Sequence, residues 1–172
     1  MKKFFAFLLI ILLLISGVYY FFNNKHREGT VKFVDQNKVY LKIDNTMPLN
    51  DKSAIKKSAY VDFSIKSFDI VGNSIKYELY AKSINGVNSI NSDYIKLNLF
   101  EQTTNRPLMK EPIVFSDLKI LDDNVNSKQL YSGSIKKNET IKFRVRMWLA
   151  DNYTVNNEKK NFEIALGVRA IK

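Results

Sequence analysis

The stretch that decides the fold is Thr140–Leu149, TIKFRVRMWL, in which an apolar side chain recurs at every second position. Ile141, Phe143, Val145, Met147 and Leu149 share one face, and Lys142, Arg144, Arg146 and Trp148 share the other. A period of two is typical of a β-strand that turns one face to a hydrophobic core. The stretch therefore predicts a half-buried strand over Ile141–Leu149.

The same period continues on both sides of this strand. Further predicted strands are Val31–Val34, Val39–Ile43, Tyr60–Ile70, Ser74–Ile84, Tyr94–Phe100, Ile113–Leu121, Gln129–Ile135 and Phe162–Ala170. Residues 35–38 favour a hairpin between the first two strands, and Thr46–Lys57 favours a loop or a short helix. We therefore predict an all-β domain over residues 31–172, an antiparallel immunoglobulin-like or jelly-roll β-sandwich of 8–9 strands. A closed barrel is the alternative.

A second feature is the uncharged, apolar segment at residues 4–22. As a helix it would extend about 28 Å, close to the hydrocarbon thickness of a bilayer. It predicts a transmembrane signal-anchor, with residues 1–3 as a cytoplasmic tail and residues 23–30 as a tether. A three-residue tail is easily kept inside, so we expect a single-pass membrane protein with most of the chain extracytoplasmic. The alternative is a cleaved signal peptide, which would make the domain secreted.

Composition removes several classes of function. The 172 residues contain no cysteine and one histidine, His26, which excludes disulfide frameworks and thiolate sites and argues against Ser–His catalysis. The carboxylates Asp62, Asp69, Asp117 and Asp151 are scattered, with no paired arrangement of the kind that glycoside hydrolysis needs. We predict a domain that is not an enzyme, with no catalytic residues, no metal site and no cofactor.

One segment partly matches a calcium-binding loop. Asp122, Asn124 and Asn126 alternate as oxygen ligands for calcium do. The sixth and twelfth positions are Ser127 and Gly133, however, where the loop requires glycine and a bidentate carboxylate. Turn composition explains the segment better.

The candidate partner-binding residues are Lys142, Arg144, Arg146 and Trp148, on the polar face of the deciding strand. Guanidinium groups beside an indole can bind an anionic polymer or stack on a partner's surface. The net charge of +10 also favours anionic surfaces, but no nucleic-acid motif accompanies it, so we expect no specific nucleic-acid binding. Alternatively the face is simply solvated, with Trp148 covering a sheet edge or packing under a loop.

Two late segments carry a resemblance to a known family. Leu130–Ile135, LYSGSI, contains a run of small residues, and Thr140–Leu149 is a strand with an aromatic residue, Trp148, near its end. With the amino-terminal apolar segment, this layout resembles the camelysin-type matrix-fibre proteins of Gram-positive bacteria. The resemblance implies a jelly-roll-like sandwich that forms fibres by strand exchange at the cell surface.

These features predict a membrane-anchored extracytoplasmic interaction domain. Its expected partners are the membrane, through residues 4–22, and a surface or envelope protein or a second copy of itself. The alternative is a self-assembling surface, matrix-fibre or virion component. An enzyme would require carboxylates that the fold brings together in one cleft.

Overall fold

A computed structural model describes residues 11–19, 29–34, 36–44, 46–84, 86–121, 124–154 and 160–171. Residues 11–19 form a helix, α1, and a second helix, α2, spans Asp51–Lys57. Within these ranges, no helix is both long enough and apolar enough to cross a membrane. More than half of the predicted anchor at residues 4–22, and all of the tether but its last two residues, lie outside the described residues.

The rest of the described chain is dominated by β-strands that form two antiparallel sheets. The strands are β1 (Thr30–Phe33), β2 (Val39–Asp44), β3 (Ala59–Phe68), β4 (Ser74–Ser83), β5 (Ile95–Glu101), β6 (Arg106–Pro107), β7 (Ile113–Val114), β8 (Ile120–Leu121), β9 (Asn124–Lys136), β10 (Thr140–Leu149) and β11 (Asn161–Ile171). The front sheet has the order β1-β3-β10-β5-β6, with β7 also paired to β5. The back sheet has the order β2-β11-β4-β9-β8.

The core lies between the two sheets, which confirms the predicted all-β sandwich architecture. Apolar residues at alternate positions of both sheets join one buried cluster, because successive side chains of a strand point to opposite faces. At the centre of the front sheet, Phe143 is fully buried. Its ring stacks on Phe63 at 5.5 Å between centroids and meets the edge of Tyr77, from the back sheet, at 6.4 Å.

The hairpin predicted between the first two strands is wrong. β1 pairs with β3 in the front sheet, whereas β2 pairs with β11 in the back sheet. Val31 of β1 and Leu41 of β2 enter the same core from opposite sides. Alternation indicates which residues face the core but not which sheet a strand joins. Two strands that are consecutive in sequence can therefore have the pattern of a hairpin and still belong to different sheets.

The strand predicted over Ile113–Leu121 is three shorter pieces. β7 pairs with the front sheet, a 3-10 turn follows at Phe115–Asp117, and β8 pairs with the back sheet. β9 then starts at Asn124, so part of the segment predicted as a turn is strand. The short helix allowed in Thr46–Lys57 is present as α2, and the Asn50 side chain caps it by accepting a backbone N–H at 2.9 Å.

Candidate partner-binding surface

The predicted basic residues lie on the outer face of the front sheet, of which β10 is the central strand. The odd-numbered residues of β10 point into the core, which leaves Lys142, Arg144 and Arg146 on the outside. In register, Arg144 lies between Asp62 of β3 and Phe100 of β5. The outer environment of β10 is therefore set by strands distant in sequence.

Arg144 forms an ion pair with Asp62. Its Nε and one terminal nitrogen donate to the two carboxylate oxygens, each at 2.6 Å, which is the bidentate geometry that a planar guanidinium favours. These hydrogen bonds lower the pKa of the Asp62 carboxyl and raise the pKa of Arg144. Gln102 adds a third hydrogen bond to Asp62 at 3.2 Å. The charge of Arg144 is therefore already compensated within the domain.

Arg146 lies beside this pair with a different balance of interactions. The Tyr60 ring contacts both guanidinium groups, with its centroid 4.3 Å from the Arg144 carbon and 4.9 Å from that of Arg146. Burial, and then the charge of Arg144, lower the pKa of Arg146. One terminal nitrogen, Nη1, is buried without a hydrogen-bond partner, and the described residues place no carboxylate in an ion pair with Arg146.

We refer to Tyr60, Asp62, Arg144 and Arg146 as the guanidinium surface. It contains two cations that contact the same aromatic ring: Arg144, which is ion-paired with Asp62, and Arg146, whose charge is uncompensated by any ion pair among the described residues. The uncompensated cation is suited to a carboxylate or a phosphate, because a guanidinium presents several N–H donors in a plane and stays charged.

Lys142 is exposed at one end of this surface. With Asp62 and Gln102 it lines an open cavity of about 370 Å³, whose other walls come from Phe33, Gln36, Val39, Phe63 and Ser64. The cavity is mixed in chemistry, since a carboxylate and a lysine share its rim with aromatic rings. It extends the surface toward β1.

The structure separates Trp148 from the other three predicted residues. Its side chain is only 1% exposed, although it follows the outward residues of β10 in register. Residues of the α2 segment, including Met47 and Lys57, share a cavity wall with it. Trp148 thus packs under a covering segment, as the alternative interpretation of this residue proposed.

Tyr60 and Asp62 contribute most to the geometry of the surface and were not among the predicted binding residues. Their even-numbered positions in a strand with apolar odd positions indicate that they face outward. The pairing that brings them to Arg146 and Arg144 has no sequence signal, because it depends on the register of β3 against β10.

The described residues contain no cluster of metal-ligating side chains. Across the described ranges, no three histidine, cysteine or carboxylate side chains lie close enough to hold a metal ion. The calcium-like segment lies partly outside the described residues, since residues 122 and 123 are not among them.

Comparisons with known proteins leave the family open. No family model and no curated protein matches this chain. AvmM, which catalyses macrocyclization in alchivemycin A biosynthesis, is similar with a TM-score of 0.34 and 10% identity, over 77% of this chain and 78% of that chain. The K1 cleaved adhesin domain of Lys-gingipain from Porphyromonas gingivalis W83 has a TM-score of 0.29 and 10% identity, over 84% and 98%. Likeness this weak carries no functional argument, and the camelysin-type resemblance stays a prediction.

Proposed function

We propose that this protein is a non-enzymatic interaction domain that residues 4–22 hold at the membrane, with most of the chain outside the cytoplasm. Its immunoglobulin-like or jelly-roll sandwich presents the guanidinium surface to an envelope or surface partner. The partner supplies a carboxylate or phosphate, and Arg146 receives it.

The observation that carries this proposal is that the Arg146 side chain is half-buried and has no ion-pair partner among the described residues. A half-buried cation loses hydration, and Arg146 forms no ion pair among the described residues. Burial and the charge of Arg144 lower the pKa of Arg146, and the nearby Asp62 carboxylate, which is paired with Arg144, offsets this only in part. A partner carboxylate would form charge-assisted hydrogen bonds with Arg146, which are stronger than neutral ones. Arg144 has a different role, because two of its nitrogens already donate to Asp62 and its guanidinium lies over the Tyr60 ring beside that of Arg146.

Anchoring at the membrane would make a modest affinity for the partner sufficient for binding. A domain confined near a bilayer meets a membrane or wall partner at an effective concentration far above that of the free protein. The remaining basic residues would add attraction over longer distances, which salt screens. The Arg146 guanidinium and the attraction of the remaining basic residues are together consistent with a selective but weak contact.

The experiment is site-specific photocrosslinking in cells that produce the full chain with a carboxy-terminal tag. A photoreactive residue at Asn98, opposite Arg146 on β5, is expected to capture a discrete partner. The same residue at exposed Lys76, on the back sheet, is the control and is expected to capture none. Arg146→Gln should reduce the Asn98 adduct about tenfold, as expected for a charge-assisted contact. An adduct that is unchanged in Arg146→Gln overturns the role of this surface.

The membrane part of the proposal has its own test. Protease added to intact cells is expected to digest the carboxy-terminal tag while the untreated chain keeps its full length. A protected tag refutes the extracytoplasmic orientation. A chain shortened by the length of the apolar segment, and released into the medium, refutes the anchor and favours secretion.

Self-assembly remains a second candidate because the back sheet has an open edge. β2 ends that sheet and pairs with β11 alone among the described strands, and Tyr40 on it is 46% exposed. The exposed Lys42–Asp44 pair on the same strand disfavours edge-to-edge pairing. Strand exchange at this edge predicts a mass that rises with concentration in light scattering, and Tyr40→Lys should then prevent the rise.

A further inference from the structure

A second cavity lies between the end of the front sheet and the segment that carries α2. Its volume is about 220 Å³, and its walls are mainly apolar. The lining residues are Ile43, Thr46, Met47, Leu49, Lys57, Ser58, Ala59, Met147 and Trp148. A dry apolar cavity of about 150 Å³ holds benzene, so this one has room for a ring with one substituent.

Two buried polar atoms of the lining residues have no hydrogen-bond partner. They are Nε1 of Trp148 and Oγ of Ser58, whose residues are 1% and 7% exposed. A buried donor without a hydrogen bond is destabilising, and native proteins rarely keep such groups without a reason. Because both atoms belong to residues that line one cavity, a molecule that enters it and displaces the wall would supply hydrogen bonds that the protein itself leaves unmade.

The chemistry of the wall selects the kind of molecule. The indole Nε1 can only donate, and the Ser58 hydroxyl can also donate. Lys57, exposed and lining the same cavity, adds a cation. Three donors and one positive charge suit an anionic acceptor, while the apolar walls suit a hydrocarbon body.

We propose that this cavity binds a small apolar monocarboxylate. Its hydrocarbon part would occupy the space next to Met147 and Leu49, and its carboxylate would accept from Ser58, Trp148 and Lys57. Met47 is 71% exposed and lines the cavity, so its side chain forms the part of the wall that must move on entry. This site is separate from the guanidinium surface, and it stands whether or not that surface binds a partner.

The test uses the intrinsic fluorescence of Trp148, since it is the one tryptophan in the sequence. The full chain is reconstituted in phosphatidylcholine vesicles and titrated with benzoate, with benzamide and toluene as probes that lack the charge or the acceptor. Benzoate is expected to change the emission saturably, with a dissociation constant of about 1 mM or below. Benzamide should bind more weakly, and toluene more weakly still.

Three variants assign the effect to the cavity. Ser58→Ala and Lys57→Gln should each weaken benzoate binding about fivefold, as expected for one hydrogen bond or one charge contact. Lys56→Gln is the matched control, because Lys56 is exposed on the same helix but does not line the cavity, and its binding should equal that of the parent. A linear, unsaturable response in the parent overturns the proposal. So does saturable binding that Ser58→Ala and Lys57→Gln leave unchanged.

Discussion

Replacing Phe143 with alanine tests the packing on which the outward surface of β10 depends. The ring is fully buried, stacks on Phe63 and contacts Tyr77 from the opposite sheet. A phenylalanine buries about 150–250 Å². At about 25 cal/mol per Å² this gives roughly 4–6 kcal/mol, an upper bound because unfolded chains bury some surface as well. Measured Phe→Ala changes in cores lie at about 3–5 kcal/mol, so we expect a loss of about 4 kcal/mol.

The assay is thermal unfolding of the full chain in detergent micelles, followed by Trp148 fluorescence and by circular dichroism. A loss of about 4 kcal/mol should lower Tm by roughly 8–16 °C for a domain of this size. The matched control is Phe68→Ala on β3, because that ring is 39% exposed and should cost about 1 kcal/mol or less. Equal shifts in the two variants would refute the placement of Phe143 at the centre of the sandwich.

Three further changes have defined outcomes. Asp62→Asn should cost about 1 kcal/mol or less, because the pair with Arg144 is partly exposed. Since the folded-state pKa of Asp62 lies below its ordinary value of 3.8, the parent keeps this contribution above about pH 4 and loses it as pH falls further, so urea midpoints of the two proteins should converge in acid. Gly133→Ala should destabilise by about 1–3 kcal/mol in urea unfolding, because its new methyl carbon would lie 2.8 Å from the hydroxyl of buried Tyr77. Asn50→Ala should cost about 1 kcal/mol in the same assay by removing the cap of α2.

The sequence was most informative where a strand is long and faces the core on one side. β10 matches its predicted bounds to within one residue, and β11 matches Phe162–Ala170 with one more residue at each end. In both strands the apolar positions point to the core, because alternation is a direct consequence of strand geometry. The alternation of apolar residues and the structure agree in these strands, because the direction of each side chain depends only on the strand's own geometry.

The failures share one physical cause, which is contact between segments distant in sequence. The hairpin predicted before Val39 was wrong because the choice of sheet depends on β11, at the other end of the chain. Trp148 continues the outward series of β10, yet it is buried because the segment before β3 covers that end of the sheet. Neither burial beneath a distant segment nor the register between strands produces a periodic pattern in the sequence.

The four side chains of one strand face therefore acquire four different environments from their neighbours. Lys142 stays exposed, Arg144 is neutralised by Asp62, Arg146 is half-buried without an ion-pair partner in the described chain, and Trp148 is covered. Charge counting would give Arg144 and Arg146 equal weight as binding residues. The two differ in the structure, because a partner's anion would compete with the bidentate Asp62 contact at Arg144, whereas Arg146 forms no ion pair among the described residues. Selective loss of binding in Arg146→Gln, with a smaller loss in Arg144→Gln, is the result that this difference requires.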